Sequence, residues 1–284
     1  MTRSLRIEYP GAVYHVTARG TGRQNIFLND SDKAKFLDRL LMTISRHNWL
    51  CHAYCLMSNH YHLLIETSDG NLSVGMKLLN SSYAQYFNHL HDRTGHLFQG
   101  RFKAIVVEKE SYLLQLSRYI VLNPVRSGIV KSPDDYKWSS YRQTTGLYQR
   151  EDNLLSTEWI LSHFGFDKFA AEREYALFVN NVDDDVSPFD KTRGHLILGG
   201  KQFAESLIGS DSYQALPEVP RNQRFLNHPS LKDLFATASD KVSRNNAIYI
   251  AHTKHGYSQQ EIAKHSGMHY STISRIIKNL ETNQ

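Results

Sequence analysis

The sequence predicts an α+β fold, and three observations carry that prediction. Short runs rich in β-branched and aromatic residues alternate with longer runs of helical period through the first half of the chain. Beyond Tyr148 the pattern shifts to helical segments alone. The end of the chain then reads as two short helices around a glycine.

Ala12 to Arg19 follows Pro10-Gly11, is rich in β-formers and reads as a first strand, which Gly20-Thr21-Gly22-Arg23 breaks. Ser31 to His47 places Phe36, Leu37, Leu40, Leu41 and Ile44 at helical period. Leu50 to Glu66 reads as one central strand, ended by Asp69-Gly70-Asn71. Leu72 to Leu90 is again helical, and a basic loop follows from His91 to Lys103. Ala104 to Glu108 reads as a strand, and Ser111 to Leu122 as a helix closed by Asn123-Pro124. This order is compatible with a ferredoxin-like antiparallel sheet covered by helices, although periodicity does not fix the topology. Thr157 to Phe164 and Lys168 to Asn180 continue as helices. Asp183-Asp184-Asp185 before Pro188 reads as an exposed boundary, and Gly209 to Arg224, with Pro217 and Pro220, as a linker. The expected organisation is a catalytic domain over residues 1–148, a helical connector over 149–224, and a small domain over 225–284.

At 284 residues the chain can hold more than one core. Its net charge of +5 and pI near 9.0 are a mild bias toward anionic partners such as nucleic acid. Cys51 and Cys55, the two cysteines, suggest a reduced compartment and core packing, with a Cys-x3-Cys zinc half-site as the competing reading. The start lacks the apolar stretch of a signal peptide, and no run approaches the roughly twenty apolar residues that span a bilayer. A soluble cytoplasmic protein is expected.

Chemistry first shows in Ser58-Asn59-His60-Tyr61-His62. In a strand, residues i and i+2 share a face, so both imidazoles can hold one metal ion. Fifteen histidines make a chance doublet unsurprising, and His89-Leu90-His91 is such a decoy. The decoy ends a helical pattern, where i and i+2 do not face each other, and reads as a solvated helix end or a phosphate-facing patch. Around His60 the strand expectation puts Cys55, Met57, Tyr61, Leu63 and Ile65 on one face, and Ser58, His60, His62 and Glu66 on the other. A metal ligand pair and a hydrogen-bonded core pair remain open for His60 and His62.

Tyr112 to Pro124 adds a second pattern. Leu113, Leu116 and Ile120 form its apolar face, while Tyr112, Gln115, Tyr119 and Asn123 form a separate stripe. A tyrosine hydroxyl and an amide oxygen one turn apart can converge on one site. The competing reading makes Tyr119 an amphipathic packing residue.

Taken in order, several motifs resemble the IS200-like transposase family, the single-tyrosine branch of the HUH endonucleases. They are Pro10-Gly11-Ala12-Val13-Tyr14-His15-Val16-Thr17, Met57-Ser58-Asn59-His60-Tyr61-His62, Gly95 to Lys103, and Ser117-Arg118-Tyr119-Ile120-Val121-Leu122-Asn123-Pro124-Val125-Arg126. Ordered motifs over roughly residues 7–145 are more specific than any one alone. The closest resemblance is to the group associated with repetitive extragenic palindromes. It implies a ferredoxin-like HUH fold, His60 and His62 as metal ligands, Tyr119 as nucleophile, and, by position, Asn123 as third ligand where other branches place glutamine.

What the resemblance implies is transesterification on single-stranded DNA, with Mg²⁺ or Mn²⁺ at the scissile phosphate and a 5′-phosphotyrosine intermediate. A free phenol keeps its proton at neutral pH, so attack needs local activation. Arg93, His96, Arg101 and Lys103 are candidate DNA-backbone contacts, flanked by Phe98 and Phe102 for stacking; a solvated basic loop is the alternative. In the tail, Ser258 and Glu261 form a capping box, Ile262 and Ala263 pack inward, Gly267 permits a turn, and Ile273, Ile276 and Ile277 face the core. This helix-turn-helix pattern points Tyr270, Ser271, Thr272 and Arg275 toward duplex DNA, with protein contact as the other use of such modules. The expected partner is DNA, the expected assembly a monomer or homodimer. A catalytically inactive DNA-binding regulator and a metal nuclease using water are the competing functions.

Overall fold

The computed structural model describes residues 6–150, 152–181, 188–193, 196–207, 229–236, 238 and 240–282. The chain divides into two compact units. One comprises Arg6–Thr192 with Leu196–Gly199, and the other, among the described residues, Arg193 and those from Gly200 on.

In the larger unit the elements run β1 (Ala12–Arg19), α1 (Asp30–His47), β2 (Trp49–Leu56), β3 (His60–Thr67), α2 (Leu72–Leu90), β4 (Lys103–Val107) and α3 (Lys109–Val121). The strands lie in the order β2-β3-β1-β4, every neighbour antiparallel. That is the ferredoxin-like arrangement of a βαββαβ chain, as expected. Helix α1 opens with a capping box between Asn29 and Asp32 and stops at Asn48, whose φ of 53° is left-handed. In α2, Gly75 lies under the ring of Trp49, and a Cβ there would run into it.

Leu50 to Glu66 is not one strand. Strands β2 and β3 form a hairpin, because Ser58 and Asn59 turn their carbonyls out of the ladder. Those carbonyls are taken up by the backbone N–H groups of Ile26 and Phe27 at Ser58, and of Gly20 at Asn59. The turn resets the side-chain parity. Cys55 pairs across the ladder with His62, and Leu56 with Tyr61. Cys55 and Met57 therefore join Leu64 in the core under α3, which corrects their placement on the Tyr61 face. Tyr61 packs instead toward α1, with its ring 4.7 Å from that of Phe36. Both cysteines are free and fully buried, and burial pushes the Cys51 thiol up to about 12.

Helix α3 covers the opposite face of the sheet through Leu113, Leu116 and Ile120, each fully buried. A one-turn helix, α4 (Asn123–Arg126), follows directly, so Pro124 does not end helical geometry at Asn123. After α5 (Tyr141–Thr144), helices α6 (Glu158–Ser162) and α7 (Lys168–Asn180) add Ile160, Leu161, Ala171, Tyr175 and Val179 to the same core. The expected edge at residue 148 is thus not an edge of the compact unit, because the following helices bury their apolar faces on α3. Two short strands, β5 (Thr192–Arg193) and β6 (Ile197–Leu198), come next, and β6 pairs in parallel with β4.

In the smaller unit, helices Leu231–Phe235, Lys241–Thr253, Gln259–Ser266 and Tyr270–Thr282 surround Ile248, Ala251, Ile262, Ala263, Ile273 and Ile277. Ser258 and Glu261 form the expected capping box, and Gly267 turns the chain at φ 68°. The acidic boundary at 183–185 and the linker at 209–224 lie outside the described residues. Among the described residues, no helix is long and apolar enough to cross a membrane.

Candidate active site

His60 opens β3 and His62 follows on the same face. Their rings lie 5.0 Å apart at 75°. Across the ladder on β1, His62 faces Thr17 and His60 faces Arg19. The His62 Nδ1 lies 2.9 Å from Nε2 of His15, a β1 residue only 4 % exposed. Its other ring nitrogen, Nε2, is buried with no hydrogen-bond partner. His60 Nδ1 lies 2.6 Å from Oδ1 of Asn59.

Burial makes charge costly on these rings. Burial lowers the His62 pKa well below its ordinary value, with His15 and His60 adding to the effect. Burial and the nearby Arg19 lower that of His60. Burial alone brings His15 to about 3. Neutral imidazoles are the form that binds metal.

Both histidines line a cleft of about 550 Å³, together with Thr17, Asn59, Gln99 and four cationic side chains, Arg19, Arg23, Arg101 and Lys103. Such a cleft suits a polyanion.

Tyr119 lies near the end of α3 with its ring centroid 6.4 Å from that of His62. The guanidinium of Arg126 sits 4.6 Å from the Tyr119 ring centroid. The edge of Phe189 meets the same ring at 4.9 Å, and Phe189 also packs at 4.9 Å on His15. Asn123 donates its Nδ2 to the carbonyls of Tyr119 at 2.9 Å and Ile120 at 3.2 Å. The second bond replaces the one that the missing N–H of Pro124 leaves unmade. The same bonds orient the amide and leave Oδ1 as its lone-pair end. Neither Tyr119 nor Asn123 is among the residues lining the histidine cleft.

The donor set fits a divalent cation in one specific respect: the buried Nε2 of His62 lacks a partner that a cation would supply. Paired imidazoles suit Mn²⁺, and Mg²⁺ with water completing its shell. Among the described residues, no group of three or more His, Cys, Asp or Glu side chains is placed to hold a metal ion, here or elsewhere.

The basic loop divides. Arg101 and Lys103 line the histidine cleft. His96 lines a separate cavity against α2, which Arg101 also borders. Arg93 reaches neither; it bonds the Gln24 side chain and lies over Phe87. The expected stacking aromatics are engaged in packing. Phe102 is 9 % exposed beneath Arg6, and Phe98 packs on Tyr61 and Tyr83. The decoy resolves as a structural tie, with His91 Nε2 2.9 Å from the buried Asp32 carboxylate and its ring against Phe87. In the smaller unit Tyr270, Ser271 and Arg275 are exposed and Thr272 is half-buried at the start of the last helix.

Sequence reasoning missed His15, Asn59, Arg19, Arg23 and Phe189. A signal existed for the strand residues, since His15, Thr17 and Arg19 alternate on β1 as His60 and His62 do on β3. Only the β1–β3 register brings the two patterns together. No local signal marks Phe189.

The antiparallel ferredoxin-like sheet thus carries paired histidines in a basic cleft, with a tyrosine ring beside them. Residues 9–123 match the model of the family described as "Transposase IS200 like". The segment is similar to that family over less than half of the chain, and DNA transposition is the general activity of the family. No curated protein matches the chain. Similar solved structures include a REP-associated tyrosine transposase bound to a REP hairpin, at 18 % identity over 54 % of this chain and 93 % of that one, with a TM-score of 0.44. They also include a candidate transposase from Deinococcus radiodurans R1, at 18 % identity over 42 % and 95 %, with a TM-score of 0.31. A tRNA(His) guanylyltransferase from Saccharomyces cerevisiae matches at 9 % identity over 66 % and 85 %, with a TM-score of 0.32.

Proposed function

We propose that the larger unit cleaves and rejoins single-stranded DNA at a hairpin-directed site, with Tyr119 as the nucleophile. The observation that supports this most is the Tyr119 ring beside His62, whose unpartnered Nε2 belongs to the wall of a cleft with four cationic side chains. The Tyr119 oxygen attacks phosphorus, the bond from phosphorus to the 3′ oxygen breaks, and that oxygen leaves as a 3′-hydroxyl. The product is a 5′-phosphotyrosine. Attack by a 3′-hydroxyl reverses the step, and because the phosphodiester energy is retained, joining needs no nucleotide cofactor.

His60, His62 and Asn123 are the proposed holders of Mg²⁺ or Mn²⁺, which when bound would polarise the scissile phosphate. Arg19, Arg23, Arg101 and Lys103 bind the strand's phosphates. Arg126, over the Tyr119 ring, holds that ring in place beside the histidines. The smaller unit is proposed to read duplex DNA through Tyr270, Ser271, Thr272 and Arg275.

Incubation of the full chain with an end-labelled hairpin and Mn²⁺ tests this. The expected result is a denaturant-stable adduct from the parent and none from Tyr119→Phe. An adduct from Tyr119→Phe removes Tyr119 as nucleophile. Cleavage without adduct means water is the nucleophile, and binding without cleavage means a regulator. Deletion after Arg224 is expected to lower duplex affinity and leave adduct formation in place.

A further inference from the structure

The two histidines of the cleft present the same nitrogen, although their neighbours differ. Asn59 donates its Nδ2 to the carbonyl of Arg23 at 3.3 Å, which turns its Oδ1 toward His60. An amide oxygen only accepts, so His60 Nδ1 must carry the proton and Nε2 the lone pair. For His62 the partner is another imidazole, and one proton is shared along the 2.9 Å line between His62 Nδ1 and His15 Nε2.

Two arrangements are available to that pair. With the proton on His15 Nε2, His62 carries its own proton on Nε2, as a buried donor with nothing to bond and no capacity to ligate. With the proton on His62 Nδ1, Nε2 becomes a lone pair, matching His60. In this arrangement His15 accepts at Nε2, from a ring that is fixed in place. It lies nearly parallel to His62 at 13°, is covered by Phe189 at 4.9 Å, and is buried on β1.

We infer that His15 and Asn59 are positioning residues that set the tautomers of His62 and His60, so that both rings turn an Nε2 lone pair toward one cation. The inference rests on the proposed metal site and adds the outer shell that orients it. Outer partners of this kind typically change metal affinity ten- to a hundredfold. His15 acts through His62 and touches no reacting atom.

Two measurements on the full chain test it. The first uses metal-free protein labelled with ¹⁵N-histidine, in which long-range proton–nitrogen correlation identifies which ring nitrogen of His62 bears hydrogen. His62→Gln assigns the signal. The expected result is hydrogen on Nδ1, and hydrogen on Nε2 overturns the inference. The second is Mn²⁺ titration followed by the electron paramagnetic resonance of the free ion. His15→Phe keeps an aromatic ring and removes the acceptor, and its affinity is expected to fall about ten- to a hundredfold. His15→Gln restores an acceptor near the Nε2 position and is expected to recover most of that loss. Equal affinity in parent and His15→Phe overturns the inference. So does equal loss in both variants, with unfolding of the metal-free forms measured alongside to report any folding defect. Should the parent bind no Mn²⁺, the metal reading of the cleft fails, and the nitrogen spectra still decide the tautomer.

Discussion

Lowering the pH from about 7.5 to about 5 in a chelator should destabilise the larger unit, and the histidine pair sets the size of the effect. Burial holds His15 at about 3, against 6.5 for an ordinary histidine. A depressed folded value means that protons bind the unfolded chain first. The stability tied to a neutral His15 is therefore complete above about pH 6.5 and is lost as the pH falls toward 3. At pH 5 the unfolded chain is favoured through this one group by about 2 kcal/mol. His62 is displaced in the same direction by burial and by its two histidine neighbours, so it adds to the loss. Against a typical total of about 5–15 kcal/mol, about 2 is a large fraction.

Urea unfolding read by tryptophan fluorescence measures this directly. All three tryptophans, Trp49, Trp138 and Trp159, lie in the larger unit, so the signal reports on that unit alone. In the parent the midpoint should fall between about pH 7 and pH 5 with an unchanged m-value. In His15→Gln the same acidification should cost about 2 kcal/mol less, since the group that must stay neutral is gone. Equal pH dependence in parent and variant refutes the reasoning, as does a parent that gains stability on acidification.

Replacing Arg101 and Lys103 together by glutamine should weaken binding to single strands and flatten its dependence on log salt by about 1.4, at about 0.7 per phosphate contact, and an unchanged slope removes both from the DNA path. Ser258→Ala removes the side-chain half of the capping box at Gln259 and should destabilise the smaller unit by about 1 kcal/mol, read by circular dichroism melting of the variant against the parent.

How far the site was legible depends on whether its information is local. The helix of Tyr119 declared itself because Leu113, Leu116 and Ile120 repeat at helical period, and all three are buried. The His60–His62 doublet was visible for the same kind of reason. The hairpin before it was not, because Leu50 to Leu56 and His60 to Glu66 are both apolar enough to read as one run, and only Ser58-Asn59 interrupts them. That omission reversed the face given to Cys55. The decoy at His89–His91 was expected as a solvated helix end or a phosphate-facing patch, and the tie of His91 to Asp32 was hidden because it depends on a helix far away in sequence.

Locality also decides why the sequence names the inner residues of this cleft and not the outer ones. His60 and His62 are adjacent on one strand, so the spacing alone places them together. His15 reaches His62 only through the antiparallel register in which Thr17 stands opposite His62, and Phe189 reaches His15 and Tyr119 only once the chain beyond α7 returns to the sheet. The return also explains why the larger unit extends past its family match. Residues 9–123 contain the histidines and the tyrosine. The Phe189 contact with the tyrosine ring and the parallel strand beside β4 come from residues past 187. A chain cut at residue 148 would keep every expected ligand and the proposed nucleophile, but it would uncover the apolar side of α3 and take the Phe189 contact away from the Tyr119 ring.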